Sequence, residues 1–298
     1  MKLNDAISEF MLDQRIRGNS AATLAYYDLT LRQFSEFAGN VDVSELQLQL
    51  CRDYYIKLAE SDINSISVQS YIRGLRAFLR WLYDSEFIQV NICEKFKLPK
   101  ATKKVIDVLT DSEIRRLFAA LEGDGWLAVR NSLIIALMLD SGLRRHEVIS
   151  LTVASVHLAD RYIIVQEAKG DKQRVVPFGN RTATLLEEYF KLVSFPGKQS
   201  ALILKEYSPG VPGEAATHAT LGQLFRRLKE SSGIRRLYPH LLRHTFATRY
   251  LENGGNIYSL QSILGHTSLE MVKRYLHLAN TRICWDFPNF SPLDNLKK

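Results

Sequence analysis

Cysteine is scarce in this chain. The 298 residues hold three, Cys51, Cys93 and Cys284, far apart and in no metal-ligand spacing. That excludes a disulfide framework and a cysteine-built zinc site, and reads as reduced thiols in a cytoplasmic protein. Long apolar runs are missing too. The longest, 133–139, is far short of the roughly 20 residues that a helix needs to cross a bilayer. The opening residues, Met1-Lys2-Leu3-Asn4-Asp5, lack the apolar stretch of a secretory signal. Also absent are a nucleotide-binding loop, a carboxylate cluster, an internal repeat and any low-complexity tract, so neither a metal nor a cofactor is expected.

Acidic residues are outnumbered. Lys and Arg total 39 against 32 Asp and Glu, a formal charge of +7. Such an excess suits a polyanionic partner, although many unrelated proteins are equally basic. The first hundred residues read as four helices, over 4–17, 20–38, 44–60 and 67–84. In the fourth, Tyr71, Leu75, Phe78, Leu79 and Leu82 form one apolar stripe, and Arg73, Arg76 and Arg80 fall on the opposite face. Three arginines there suit either a solvated face or a helix laid against DNA phosphates.

A basic, proline-marked stretch follows, and 99–108 reads as a linker between a helical domain, 1–98, and a larger one, 109–298. Thr110 with Glu113 makes a capping box that restarts the order. The second domain reads as mainly helical with one β-hairpin, formed by 161–167 and 174–178 around a turn that carries Lys169. After a Pro- and Gly-containing stretch at 208–213, helices run on to about 279.

Four local patterns could carry chemistry. Ser141-Gly142-Leu143-Arg144-Arg145-His146-Glu147 follows an apolar helix, so Arg144 starts near the interior and needs a partner. Glu147 is the natural one. The hairpin supplies Lys169, which alone reads as a solvated turn lysine. Pro239-His240-Leu241-Leu242-Arg243-His244 opens a helix and sets His240 and Arg243 one turn apart. Two such groups on one face favour an anion, for instance a phosphate at the helix N-terminus. Lastly, Gly265 stops a helix, Thr267 and Glu270 cap the next, and Tyr275 falls two turns into it beside Met271 and Leu278. Alone, that tyrosine reads as a core aromatic.

Taken together, Arg144, Lys169, His240, Arg243, His266 and Tyr275 stand in the order and arrangement of the tyrosine recombinase (phage integrase) family, which the sequence resembles. The Leu-Arg-His-Thr-Phe-Ala-Thr run at 242–248 and the Leu-Gly-His-Thr run at 264–267 are similar to that family's signature boxes. Ser141 stands where Thr is usual, and Ala168 where Gly is usual. The resemblance implies a four-helix (SAM-like) core-binding domain and a catalytic domain in a C-shaped clamp on double-stranded DNA. It implies four protomers on two duplexes and a short, Xer-like member without an arm-binding domain. It also implies a C-terminal tail, 281–298, that docks on its own domain or on a neighbouring subunit.

A tyrosine phenol ionises near pH 10, so only about one in a thousand is charged at neutrality and its attack on a phosphodiester needs help. The resemblance makes Arg144 and Arg243 the clamp on the phosphate and Glu147 the group orienting Arg144. It makes Lys169 the acid that protonates the leaving 5′-oxygen. His240 would assist proton transfer from Tyr275, and His266 would hydrogen-bond the phosphate. A 3′-phosphotyrosine conserves the phosphodiester energy, so rejoining needs neither ATP nor metal. The implied task is site-specific recombination, whether integration, excision or dimer resolution.

Overall fold

The computed structural model describes residues 1–98, 107–166, 173–266, 268–272 and 275. Contacts divide the chain into two compact units, Met1–Lys104 and Val105–Lys298. The first consists of α1 (Leu3–Ile16), α2 (Ala21–Ala38), α3 (Leu48–Glu60), α4 (Ser65–Asp84) and a short α5 (Ile92–Lys95). Ser20 caps α2 and Asn64 caps α4, each accepting the backbone N–H three residues on. The helical spacing of apolar residues brings Phe10, Leu31, Phe34, Tyr54, Ile72, Leu75 and Phe78 into one buried core.

The third helix departs from expectation. Instead of one helix over 44–60, a single 3-10 turn (Val43–Glu45) precedes α3. Asp42, not Ser44, caps that turn, and Leu46 leaves it in extended backbone to enter the core. The outer face of α4 needs a correction as well. Arg73 and Arg80 are exposed, but Arg76 is half-buried and donates to the Phe96 carbonyl at the end of α5. Carbonyls at a helix C-terminus lack partners within their own helix, and the guanidinium supplies one. An acidic residue is also at hand, since Asp84 pairs with Arg80 at 2.9 Å.

The second unit holds α6 (Asp111–Ala119), α7 (Trp126–Asp140), α8 (Arg145–Ser150), α9 (Asn180–Leu192), α10 (His218–Ser231), α11 (Pro239–Glu252) and α12 (Ile257–Leu264). The Thr110–Glu113 capping box starts α6 as its sequence predicts. Helix α7 buries Leu133, Ile134, Leu137 and Met138 and packs against α9 and α11, which sets it at the centre of the unit. Strands β1 (Val156–His157), β2 (Tyr162–Gln166) and β3 (Gln173–Pro177) form an antiparallel sheet in that order. In the β2–β3 pair Val165 faces Arg174 and Ile163 faces Val176. Period-two alternation buries Arg174 and Val176 while Val175 points outward. The turn that carries Lys169 lies outside the described residues.

A second hairpin, β4 (Leu204–Ser208) and β5 (Val211–Ala215), which the sequence reading did not include, surrounds the Pro- and Gly-containing stretch. Leu204 is buried at its base, while the exposed Lys205 pairs across the hairpin with Glu214 at 3.2 Å. Charge pairs of this kind stabilise a strand without the β-branched run that marks one. No helix among the described residues is long and apolar enough to cross a membrane.

Candidate active site

The site begins where α7 ends. Ser141 is fully buried, and Gly142 adopts φ +65°, a left-handed conformation that favours glycine. A Cβ there would also lie 2.4 Å from Phe246, so two constraints select the same residue. The Gly142 carbonyl accepts from Nη1 of Arg243 at 2.6 Å. Two residues on, Arg144 caps α8 through Glu147. Its backbone N–H donates to Oε2 at 2.7 Å and its Nη1 to Oε1 at 2.8 Å. Oε2 also accepts from Nη2 of Arg174 at 2.8 Å, and Nε of Arg174 donates to the Ile263 carbonyl at 2.8 Å.

One carboxylate thus serves two guanidiniums. Burial raises the Glu147 pKa, but its hydrogen bonds and charge interactions with Arg174 and Arg144 outweigh that and hold it at about 2. Arg243 adds a third guanidinium, only 4 % exposed. Burial and the nearby charge of Arg144 push its pKa down to about 9, so it still carries its charge at neutral pH. Positive charge exceeds negative in a desolvated place, and an anion would relieve the imbalance.

Arg243 stands in the second turn of α11. Besides Gly142, it donates through Nη2 to the Leu264 carbonyl at 2.7 Å and lies 3.1 Å from Nε2 of His266. A guanidinium only donates, so at this contact Nε2 is the acceptor. Gly265, in a left-handed conformation with φ +63°, ends α12 and brings both partners to Arg243. Three of the guanidinium's five N–H groups are engaged among the described residues. Among the described residues the Nε–H and one Nη1–H have no partner and can meet an anion.

Tyr275 packs with Ala247, Leu251, Leu260, Leu264 and Val272 and is 2 % exposed. Its hydroxyl lies 2.7 Å from Nδ1 of His244, the residue after Arg243. The charge of Arg243 also responds to Tyr275. His240, one turn before His244, is exposed, with its ring centre 6.3 Å from that of His244.

Residues 107–282 match the model of the phage integrase family. The chain belongs to that family, the tyrosine recombinases. Tyrosine recombinase XerD of Listeria monocytogenes is 27% identical over 301 residues, spanning 97% of this chain and 99% of the relative. Tyrosine recombinase XerC of Halalkalibacterium halodurans is 29% identical over 290 residues, 93% of this chain and 94% of the relative. Among solved structures, the Tn1549 transposon integrase in complex with a circular intermediate DNA superposes with TM-score 0.79 at 19% identity, over 96% of this chain and 99% of that one. At that identity the likeness is one of fold.

Of the residues that the family's boxes single out, Arg144, Arg243 and His266 surround one spot, and Tyr275 joins it through His244. His240 lies one turn away on α11, and Lys169 falls outside the described residues. Two site residues escape the sequence reading. Arg174 leaves one signal, its place two residues before Val176 on the inward face of β3. His244 leaves another, four residues after His240 and so on the same side of α11.

Proposed function

We propose that the chain is a site-specific recombinase that cuts and rejoins DNA through a phosphodiester bond to Tyr275. The phenolic oxygen attacks the phosphorus, the P–O5′ bond breaks, and a 3′-phosphotyrosine forms. Arg144 and Arg243 hold the non-bridging oxygens, Glu147 orients Arg144, and His266 hydrogen-bonds the phosphate. Lys169 gives its proton to the leaving 5′-oxygen, and His240 belongs to the path by which the phenolic proton departs. Rejoining is the reverse, and the bond energy is kept throughout.

The observation that carries this reading is the surplus of buried guanidinium charge beside a tyrosine hydroxyl, with two Arg243 N–H groups left for an anion. Two guanidiniums match the fork geometry of a phosphate and stabilise charge that develops in the transition state. The reading extends to a clamp formed by both domains on a specific duplex site, four protomers working on two duplexes, and action in the cytoplasm, where DNA is reached directly. No metal or cofactor enters the scheme.

The test is a nicked duplex carrying the recombination site, so that the cut end diffuses away and the adduct is trapped. The unaltered chain should give an SDS-resistant protein–DNA adduct that maps to Tyr275 by mass spectrometry. Tyr275→Phe should fold, bind the duplex with similar affinity and give no adduct. Lys169→Ala should slow cleavage, and a 5′-bridging phosphorothiolate should restore it, because sulfur leaves without a proton. Adduct at the wild-type level from Tyr275→Phe would overturn the assignment.

A further inference from the structure

We infer that His244 is the general base for Tyr275, its Nδ1 taking the phenolic proton as the oxygen attacks phosphorus. The inference rests on the reading of Tyr275 as nucleophile. A base must lie within about 2.6–3.2 Å of the atom it deprotonates, and Nδ1 is 2.7 Å from the Tyr275 hydroxyl oxygen. With Nδ1 unprotonated, the phenol donates along the line that the proton must travel.

Burial sharpens the need for such a base. Tyr275 as a whole is only 2 % exposed, which shields it from bulk water and favours a protein group as the proton acceptor. A buried phenolate is costly unless positive charge stands near, and Arg243, adjacent to His244 on α11, interacts electrostatically with Tyr275. Acceptor and stabilising charge therefore come from consecutive residues of one helix. Among the described residues, the titratable and charged groups near His244 include His240 and Arg243 on α11 and Tyr275 from the C-terminal segment, with His266, beyond α12, tied to Arg243. An imidazole, with an ordinary pKa of about 6.5, suits the task because it is mostly unprotonated yet basic at working pH.

The step balances. The O–H bond of Tyr275 breaks and its proton passes to Nδ1. The Tyr275 oxygen bonds to phosphorus, and the electron pair of the P–O5′ bond goes to the 5′-oxygen, which Lys169 protonates. On rejoining, the protonated His244 returns its proton to the tyrosine oxygen as the O–P bond breaks.

The experiment is single-turnover cleavage of the nicked duplex by the full chain, followed across pH. With the unaltered protein the rate should rise with pH and level off above the imidazole range. His244→Gln retains a hydrogen-bonding amide and does not titrate there. It should bind DNA with unchanged affinity, cleave roughly 10²–10⁴-fold more slowly at neutral pH, and lose the levelling limb. His240→Gln should keep that limb whatever its rate. A second readout replaces Tyr275 with a fluorinated tyrosine, a more acidic phenol. It should accelerate His244→Gln more than it accelerates the parent, which a merely structural hydrogen bond would not produce. If His244→Gln does not fold, His244→Asn and the fluorotyrosine comparison serve in its place. Parent-like rate and pH profile in a folded His244 variant, or equal fluorotyrosine effects in variant and parent, would overturn the inference. Adduct formation by Tyr275→Phe would instead remove the nucleophile itself, a separate result.

Discussion

The Glu147 carboxylate meets the Arg144 guanidinium through one oxygen and that of Arg174 through the other, so its loss strands the buried Arg174 guanidinium and unties the partly exposed one of Arg144. Glu147→Gln should cost roughly 3–5 kcal/mol of stability, because breaking a buried pair leaves charge uncompensated. The sign of the acid effect follows from its pKa, which is about 2 in the folded chain against an ordinary 4.5. The carboxylate's contribution is complete above pH 4.5 and is lost as pH falls towards 2. Denaturant unfolding measured across that window should show a shallower acid slope for the variant. An unchanged slope would mean that Glu147 is not the group titrating there. Half of this arrangement is legible in the sequence, since Arg144 and Glu147 are three residues apart beside an apolar helix. The other half is not, because Arg174 arrives from a strand 27 residues further on. Spacing reveals partners within one turn of helix, whereas partners brought by another element need the fold.

Helix α4 shows the same division among neighbours on one element. Its apolar stripe and its arginine face are both readable from a 3.6-residue period, but the period says nothing of α5, whose last carbonyl draws Arg76 inward. Arg73→Ala and Arg80→Ala should therefore each flatten the dependence of log DNA affinity on log salt by about 0.9, the loss of one phosphate contact. The Arg80–Asp84 pair is exposed on both sides and exchanges readily for a phosphate. Arg76→Ala should act otherwise, lowering the melting temperature with little change in slope. Salt titrations and thermal melts of the three single variants separate these outcomes, and a flat slope change in all three would leave α4 facing solvent. Elsewhere, the starts capped by Ser20 and Thr110 are legible in the sequence. The break before α3 and the β4–β5 hairpin are not. Leu46 breaks the helix because the core takes it, and β4–β5 buries Leu204 at its base while its outer part carries exposed charges instead of an alternating apolar pattern.

Across the whole molecule, the proposed catalysis relies on cations that the chain carries itself. Cleavage of the nicked duplex should proceed unchanged in EDTA, measured as adduct yield with and without added magnesium. Loss of cleavage that magnesium restores would replace the guanidinium scheme with a metal-assisted one. The family was legible because its boxes combine unlike residue types at fixed intervals, His240 with Arg243 and His266 with Tyr275. The order in which they touch was not, since the α11 residue that meets the tyrosine is His244. Arg243, finally, is moored at three points by the ends of two other helices and their following turns. Its planar fork is aimed before any DNA arrives, so the ordering entropy of that side chain is a debt of folding rather than of binding. More of the contact energy with DNA then remains for bending or parting the duplex. Weakening the Gly265 turn should show first as a slower reaction in a protein that still binds its site.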